Sequence, residues 1–416
     1  MAKEIKLICV TGENNNKFYT MKENGDGTFT ATYGRVDLTS AVKNYPMSKW
    51  NSIYKSKTKS TKKPKPYTDV THLFLEADDD NNTNKNIEIK DLKVREFVSS
   101  LQKFANISIE QNYSVSSKKV TQAQVDEAQL IVDNIFTLLD VRNYNSIDKN
   151  IVNNKLLELY RVIPRKMKKV QDHLITLIQS TTDLKNAKHL LAEEQANLDV
   201  MATQVIQQTK SDPKDKIQKQ IDILEQLGLE IVKVSKKEED RIKEFMGPNK
   251  HQFRKAFKVI NKNTQKHFDN WLDEVKNKKK FLFWHGSRNE NWWSIINSGL
   301  ILRPTNAVIT GAMFGEALYF ASKCQKSIGY SSLRGSYWTG GGSSIGLLAL
   351  FEVHTGNQYH IKKWENWHSQ LTEDKLKKLD KDYNSVFAHG GADLRNDEFM
   401  IYNQNQTTIK YLIEIN

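Results

Sequence analysis

FLFWHGSR, residues 281–288, is the stretch on which the fold and the chemistry turn. Phe281–Trp284 reads as a short apolar strand. Its end sets an imidazole, bare backbone and a hydroxyl together as His285, Gly286 and Ser287. A second stretch, Gly311-Ala312-Met313-Phe314-Gly315, runs into a strand over Ala317–Ala321, followed by Lys326, Ser327 and Tyr330. Their three- and four-residue spacing predicts a helix with all three on one face. A third, Asn396-Asp397-Glu398-Phe399-Met400-Ile401-Tyr402, brings a carboxylate into a strand. Successive strand residues point to opposite faces, so only one of Asp397 and Glu398 can enter a site. Each stretch alone suits a structural role better than a functional one.

Around these stretches the C-terminal half, from about 221, reads as an α+β domain. Short β runs at Glu230–Val234, Ile345–Val353, Glu398–Tyr402 and Ile409–Ile415 join those above, with one helix at Lys236–Phe245. Glycine marks the division: none occurs between Gly34 and Gly228, and 13 of 19 lie between Gly286 and Gly391. A glycine-free stretch favours helices, and a glycine-rich one favours turns and close approach to ligands. The middle is accordingly helical. Thr121 and Gln124 form a capping-box pattern ahead of a stripe of Val125, Ala128, Val132, Ile135 and Leu139. Further helices are predicted over Val152–Ile163, over Val170–Ile178, and from Asp183 to the break at Asp212-Pro213. At the N-terminus, Phe18–Lys22 and Thr28–Tyr33 flank Asn24-Gly25-Asp26-Gly27, a hairpin signature. Residues 77–86, ADDDNNTNKN, are too polar to pack and predict a linker.

Charge is concentrated at one end. The chain has 416 residues and a formal charge of +13, and residues 1–75 alone hold 13 basic against 6 acidic side chains. From Leu38 to Thr68 there are eight lysines and no acid, interleaved with Tyr45, Trp50, Tyr54 and Tyr67. A basic, aromatic stretch of this kind points to nucleic acid. Two isolated cysteines, Cys9 and Cys324, exclude a disulfide scaffold, and with no His-Glu-x-x-His they offer no metal site. Gly340-Gly341-Gly342 lacks the strand–glycine–helix spacing of a dinucleotide fingerprint, and there is no phosphate loop. The longest apolar run, Ile345–Phe351, is too short to span a bilayer, and no signal-peptide core follows Met1. These features predict an intracellular soluble protein, nuclear in a eukaryote and cytoplasmic in a bacterial setting.

In order and spacing, the three stretches resemble the His-Tyr-Glu signature of the poly(ADP-ribose) polymerases, the diphtheria-toxin-like ADP-ribosyltransferases. The match runs through FLFWHGSR, TGAMFGEALYFA, KSIGY, NDEFMIYN and IKYLIEI, and covers roughly 220–416. KKVTQAQVDEAQLIVDNI and LYRVIP resemble that family's regulatory helical domain. FYTMKENGDGTFTATYGRV resembles a WGR domain, with Tyr33-Gly34-Arg35 at the name residues. The resemblance implies a multidomain α+β chain: a small antiparallel WGR-like DNA-binding domain at 1–75, a linker at 76–90, an all-α regulatory domain at 91–212, and a transferase domain with two antiparallel-type sheets at 213–416.

It also implies roles. His285, Tyr319 and Glu398 form the catalytic triad. His285 bonds the adenosine ribose of NAD, the Gly286 backbone and Ser327 hydroxyl grip the carboxamide, and Tyr319 and Tyr330 sandwich the nicotinamide. Glu398 bonds the nicotinamide-ribose 2′-hydroxyl, with Lys326 beside it. Ser287, Phe320 and Ala321 complete the NAD-binding set, and no metal is required. Tyr33, Arg35, Lys43, Lys49, Trp50 and Lys55 are the implied DNA contacts. Three departures from the pattern stand out: Ala312 for a tyrosine, Glu316-Ala317 for Lys-Gly, and Tyr33 for the tryptophan of WGR. The short segment between Trp364 and Tyr383 implies a simplified acceptor side. The expected function is DNA-break-stimulated poly(ADP-ribose) synthesis on proteins, the enzyme itself included. The alternatives are mono-ADP-ribosylation and an inactive DNA-end scaffold.

Overall fold

Phe29 and Ala31, two apart in a strand, must face the same way, and both are fully buried. The computed structural model describes residues 3–36, 38–59, 61, 66–74, 89–141, 143–209, 222–303 and 313–416. The chain divides into two compact units: Met1–Thr83 with Ser108–Thr209, and Asn84–Ile107 with Lys210–Asn416.

In the first unit, five strands form an antiparallel sheet of order β4-β3-β2-β1-β5. They are β1 (Glu4–Thr11), β2 (Asn15–Glu23), β3 (Thr28–Arg35), β4 (Ala41–Pro46) and β5 (Thr68–Asp69). Gly25 and Gly27, in the β2–β3 turn, have φ of 82° and 81°, which an L side chain resists. Helix α1 (Trp50–Thr58) closes the sheet's core by setting Trp50 edge-on against Phe29, 4.9 Å between centroids.

Four longer helices follow: α2 (Leu92–Asn112), α3 (Gln122–Leu139), α4 (Lys149–Val162) and α5 (Thr181–Thr209). Helix α3 begins with the reciprocal Thr121–Gln124 capping box, satisfying two backbone N–H groups that would otherwise lack partners. The helix expected over Val170–Ile178 is absent. Only Val170–His173 makes a 3-10 turn, because the Val170 N–H donates to Asn14 Oδ1 and Asn153 holds the backbone of Ile175 on both sides. Side-chain partners for the backbone replace helical ones.

The sheet and helices α3–α5 pack in this one unit. Arg161 donates to the Val10 carbonyl at 3.0 Å and Asn16 to the Arg165 carbonyl at 3.2 Å. Arg165 itself is buried and pairs with buried Glu194 of α5 at 3.1 Å. Its guanidinium lies 4.4 Å from the Tyr113 ring centroid, and the Tyr160 hydroxyl reaches the same Glu194 carboxylate. Of the linker expected at 76–90, residues 76–88 lie outside the described residues.

The second unit holds two sheets. One has the order β6-β7-β14-β10-β8 and is antiparallel: β6 (Leu229–Lys233), β7 (Phe253–Asn261), β8 (Lys280–Gly286), β10 (Gly346–His354) and β14 (Thr407–Ile415). The other has the order β11-β12-β13-β9: β9 (Leu318–Phe320), β11 (Asn357–Ile361), β12 (Tyr383–Ala388) and β13 (Glu398–Ile401). Here β11 and β12 run parallel, which corrects the expectation of two antiparallel sheets. The connection that permits it contains a 3-10 turn at Asn366–Gln370 and a helix at Glu373–Leu379, enough chain for a crossover.

Among the described residues, the further helices of this unit are α6 (Ile223–Gln226), α7 (Lys236–Met246), α8 (Lys262–Glu274), α9 (Trp292–Ser298), α10 (Cys324–Ile328) and α11, the Glu373–Leu379 helix just named. The two sheets meet where Trp284 of β8 and Ala321 exchange backbone hydrogen bonds of 2.8 and 3.0 Å. The contact is sealed by Phe283 stacking on Phe399 at 4.1 Å. No helix among the described residues is long and apolar enough to cross a membrane.

Candidate active site

The Trp284–Ala321 junction brings the three sequence stretches to one place. The next residue of β8, His285, has Nδ1 3.1 Å from the Tyr319 carbonyl. A carbonyl only accepts, so Nδ1 carries the proton and Nε2 presents a lone pair. Burial among Trp292, Phe320 and Phe351 pushes the imidazole pKa down to about 4, opposed only by the Tyr319 hydrogen bond. His285 is therefore neutral at physiological pH and offers Nε2 as a hydrogen-bond acceptor.

Gly286 lies flat against the turn after α10. A Cβ there would sit 2.0 Å from the Ser327 carbonyl oxygen, so any side chain would displace the backbone that carries the buried Ser327. Ser287 Oγ accepts from Asn291 at 3.0 Å, leaving its own proton to donate. Phe320 and Ala321 are buried and wall the junction.

Tyr319 is fixed at both ends of its hydroxyl. It donates to the Gly315 carbonyl at 3.0 Å and accepts from the Phe314 N–H at 3.2 Å. Burial drives this phenol well above its usual range, so it stays protonated. Gly315 has φ of 77°, and a Cβ there would strike the Leu371 carbonyl at 2.0 Å, so this turn admits only glycine. Ala317, which stands where the family pattern has glycine, has a negative φ that a methyl tolerates and is buried. Gly311 and Ala312 lie outside the described residues.

Glu398 opens β13 opposite Ala388 and is 8% exposed. Its Oε1 pairs with the Lys326 ammonium. Burial pushes the Lys326 pKa down to about 8, while the Asp397 carboxylate pulls the other way. The rival carboxylate is occupied elsewhere: Asp397 Oδ1 accepts from the Gly390 N–H at 2.9 Å and shapes the turn before β13.

The shared helix face expected for Lys326, Ser327 and Tyr330 does not form. Helix α10 ends at Ile328, and Tyr330 follows Gly329 in a turn closed by Tyr330 N–H to the Ser327 carbonyl. Its ring stacks on Trp338, 5.9 Å between centroids and 18° between planes. Sequence reading missed Trp338, Asn291 and Leu371; a glycine-rich loop has no periodicity to reveal them.

The basic N-terminal candidates lie in the first unit. Lys43, Lys49 and Lys55 are exposed, and Lys43 sits over the Tyr45 ring. Tyr33 stacks on Tyr19 at 5.3 Å, with the Lys57 ammonium 4.5 Å from the Tyr19 centroid. Arg35 is committed internally, to the Asn14 carbonyl and side chain and to the Lys168 carbonyl. Trp50, read as a surface aromatic, is a core residue at 3% exposure, placed inward by the sheet above it. Lys62, Lys63 and Lys65 lie outside the described residues. Among the described residues, no group of three or more His, Cys, Asp or Glu is placed to hold a metal ion.

The site is thus a neutral histidine acceptor, a bare glycine against a buried serine, two tyrosines, and one carboxylate paired to a lysine. The family profile of the poly(ADP-ribose) polymerase catalytic domain matches residues 229–416, which contain all of these groups. An uncharacterized protein, 101L, of Invertebrate iridescent virus 6 is 34% identical over 202 residues, covering 48% of this chain and 76% of the viral one. A second protein of that virus, the putative poly [ADP-ribose] polymerase-like 100L, is 33% identical over 149 residues, 36% of this chain and 77% of its own. Poly [ADP-ribose] polymerase 2 of Homo sapiens is 30% identical over 162 residues, 33% of this chain and 26% of the human one. The chain belongs to the poly(ADP-ribose) polymerase family. It is an NAD+ ADP-ribosyltransferase, with NAD as its substrate.

Proposed function

We propose that the enzyme builds poly(ADP-ribose) on protein acceptors, itself included, when broken DNA engages its N-terminal region. The observation that carries the catalytic half of this reading is the buried Glu398 carboxylate, joined through Lys326 to the turn that faces Gly286. In the proposed arrangement the nicotinamide carboxamide bonds the Gly286 backbone and the Ser327 hydroxyl. Tyr319 and Tyr330 flank the ring, His285 Nε2 accepts from the adenosine ribose, and Ser287, Phe320 and Ala321 line the donor.

Cleaving the glycosidic bond of NAD leaves an oxocarbenium-like ribose. One carboxylate on its 2′-hydroxyl stabilises the developing positive charge. Nicotinamide leaves as a neutral base from a cationic precursor, so no general acid is needed. Glu398 then also orients an incoming ribose hydroxyl, which supports elongation over single transfer.

The proposed layout is a WGR-like reader at 1–75, a linker at 76–90, a regulatory helical region at 91–212 and a catalytic domain at 213–416. Exposed Lys43, Lys49 and Lys55, in the same sheet-and-helix region as the half-buried Tyr33, support phosphate and base contacts at a DNA end. Arg35 and Trp50 contribute by holding the reader's shape. DNA would activate by preferring a state in which the helical region no longer hinders NAD, which requires different affinities for two conformations.

Incubating the full chain with labelled NAD, with and without nicked DNA, tests the whole reading. A ladder that intensifies with DNA is the expected result. A single band would reduce the reading to mono-ADP-ribosylation, and equal labelling without DNA would remove the regulatory part.

A further inference from the structure

The loop after Tyr330 is held by many hydrogen bonds and presents two exposed rings, Trp338 and, edge-on to it at 4.7 Å, Tyr337. Ser331 and Ser336 are buried, and both hydroxyls donate to the Ile328 carbonyl at the end of α10, at 2.8 and 2.9 Å. The Trp338 N–H donates to the Gly329 carbonyl at 3.0 Å, and the Gly340 N–H to the Ser336 carbonyl at 3.1 Å. Thr339 Oγ1 closes the turn on the Ser331 carbonyl. The product of this bonding is Trp338, which remains 64% exposed. An indole that exposed gains little from burial, so its own transfer out of water does not explain the arrangement.

Its neighbours supply the explanation. The indole lies nearly parallel to Tyr330, 18° off at 5.9 Å. A Cβ at Gly329 would come within 3.1 Å of Trp338 Cδ1, so the glycine is what lets the indole approach so closely. With Trp338 on the outer face of Tyr330, the inner face is left for the substrate.

We infer that Trp338 is a positioning residue for NAD: it backs Tyr330 and holds that ring at the angle needed to stack on the nicotinamide. The inference rests on the reading that Tyr330 stacks on the substrate. Tyr330 alone, beyond the end of a five-residue helix and flanked by Gly329, has no other ring to fix its torsion. Offset-stacked aromatic pairs prefer a defined geometry, and removing one partner frees the other to rotate. The penalty falls on substrate binding, because Trp338 does not touch the reacting atoms.

The test uses the full chain and three variants: Trp338→Ala, Trp338→Phe and Tyr330→Ala. Nicotinamide release gives kcat and the KM for NAD. A benzamide that mimics nicotinamide gives an inhibition constant reporting on the ring slot alone. Trp338→Ala is expected to raise both KM and the benzamide constant by roughly three- to tenfold, more than it lowers kcat. Trp338→Phe, which keeps a flat ring, is expected to recover most of the loss. A thermal melt of each variant separates this from misfolding, since an exposed indole should move the transition little.

If Tyr330→Ala weakens both constants and Trp338→Ala weakens neither, or tightens them, the backing role is wrong and the Tyr330 reading stands. If Trp338→Phe fails to recover what Trp338→Ala loses, stacking is not the cause. If Tyr330→Ala leaves both constants unchanged, the reading beneath the inference fails as well.

Discussion

Among the described residues, the ion pair with both members most enclosed is Arg165–Glu194 in the first unit and Lys326–Glu398 in the second, and their surroundings differ. Arg165–Glu194 in the first unit is enclosed, with side-chain exposures of 5% and 7%, and is hemmed by Tyr113 and Tyr160. Its guanidinium holds α4's end to α5, while the Arg165 carbonyl takes the Asn16 side chain of β2. Lys326–Glu398 in the second unit is less enclosed, at 15% and 11%, and lies where two sheets meet beside bare Gly286. A sealed pair in which both charges serve as mutual partners supports a fold. A less enclosed pair beside bare backbone suits the reaction proposed above. Burial alone does not separate the two kinds, and neighbours do.

Removing one member of the sealed pair should give the largest stability effect. Glu194→Ala leaves a buried guanidinium uncompensated and should cost about 3–5 kcal/mol in denaturant unfolding. The NAD KM measured well below the melting temperature should stay the same. A loss below about 1 kcal/mol would mean the pair is not what ties the helices together.

The exposed lysines of the first unit should show themselves through salt. If Lys43, Lys49 and Lys55 each neutralise one phosphate, DNA affinity should fall roughly 40-fold between 50 and 200 mM salt, and replacing all three should flatten that slope. A slope unchanged in the triple variant would move the contact elsewhere.

His285 sharpens the second unit's side of the comparison. His285→Ala removes a neutral acceptor and should raise the KM for NAD roughly tenfold.

The smallest effect is one of pH. The folded-state pKa of His285 is about 4 against an ordinary 6.5, so folding favours the neutral form. Its contribution is full above pH 6.5 and is lost as pH falls through 4, because the unfolded chain binds the proton first. Melting temperature should therefore decline as pH is lowered across that window, and less so in His285→Ala. NAD binding by the wild type should show no histidine titration between pH 6 and 7.5.

How far these features were legible in the sequence depends on whether they arise locally. Thr28–Tyr33 alternates at period two and forms β3, and Thr121-x-x-Gln124 forms its capping box, because both patterns are satisfied by near neighbours. Val170–Ile178 had a helical stripe, but Asn14 and Asn153, far away in sequence, took over its backbone partners. Strands β7, β11 and β12 and helix α2 were not read at all. The central residues of β11, Asn357–Ile361, mix polar and apolar groups without a clean period, and the parallel pairing with β12 is a tertiary outcome.

In the site, the order and spacing of His285, Tyr319 and Glu398 were readable because each lies in or at the edge of a short apolar strand. The placement of Tyr330 beyond α10, and of Trp338 behind it, was not. Gly329 stops the helix before the i, i+4 face is completed. The inward turn of Trp50 was hidden too, since an aromatic among lysines looks the same whether it serves a ligand or a core.

The sharpest contrast is between Glu398, proposed to act in the reaction, and Glu194, which ties helices together. The most direct measurement is nicotinamide release by Glu398→Gln, with NAD affinity determined on the same preparation. The amide keeps the size of the side chain but lacks the charge that stabilises the oxocarbenium. Release should fall by roughly two to three orders of magnitude while NAD binds within a few-fold of wild type. Release at near wild-type rate would contradict the role proposed for Glu398.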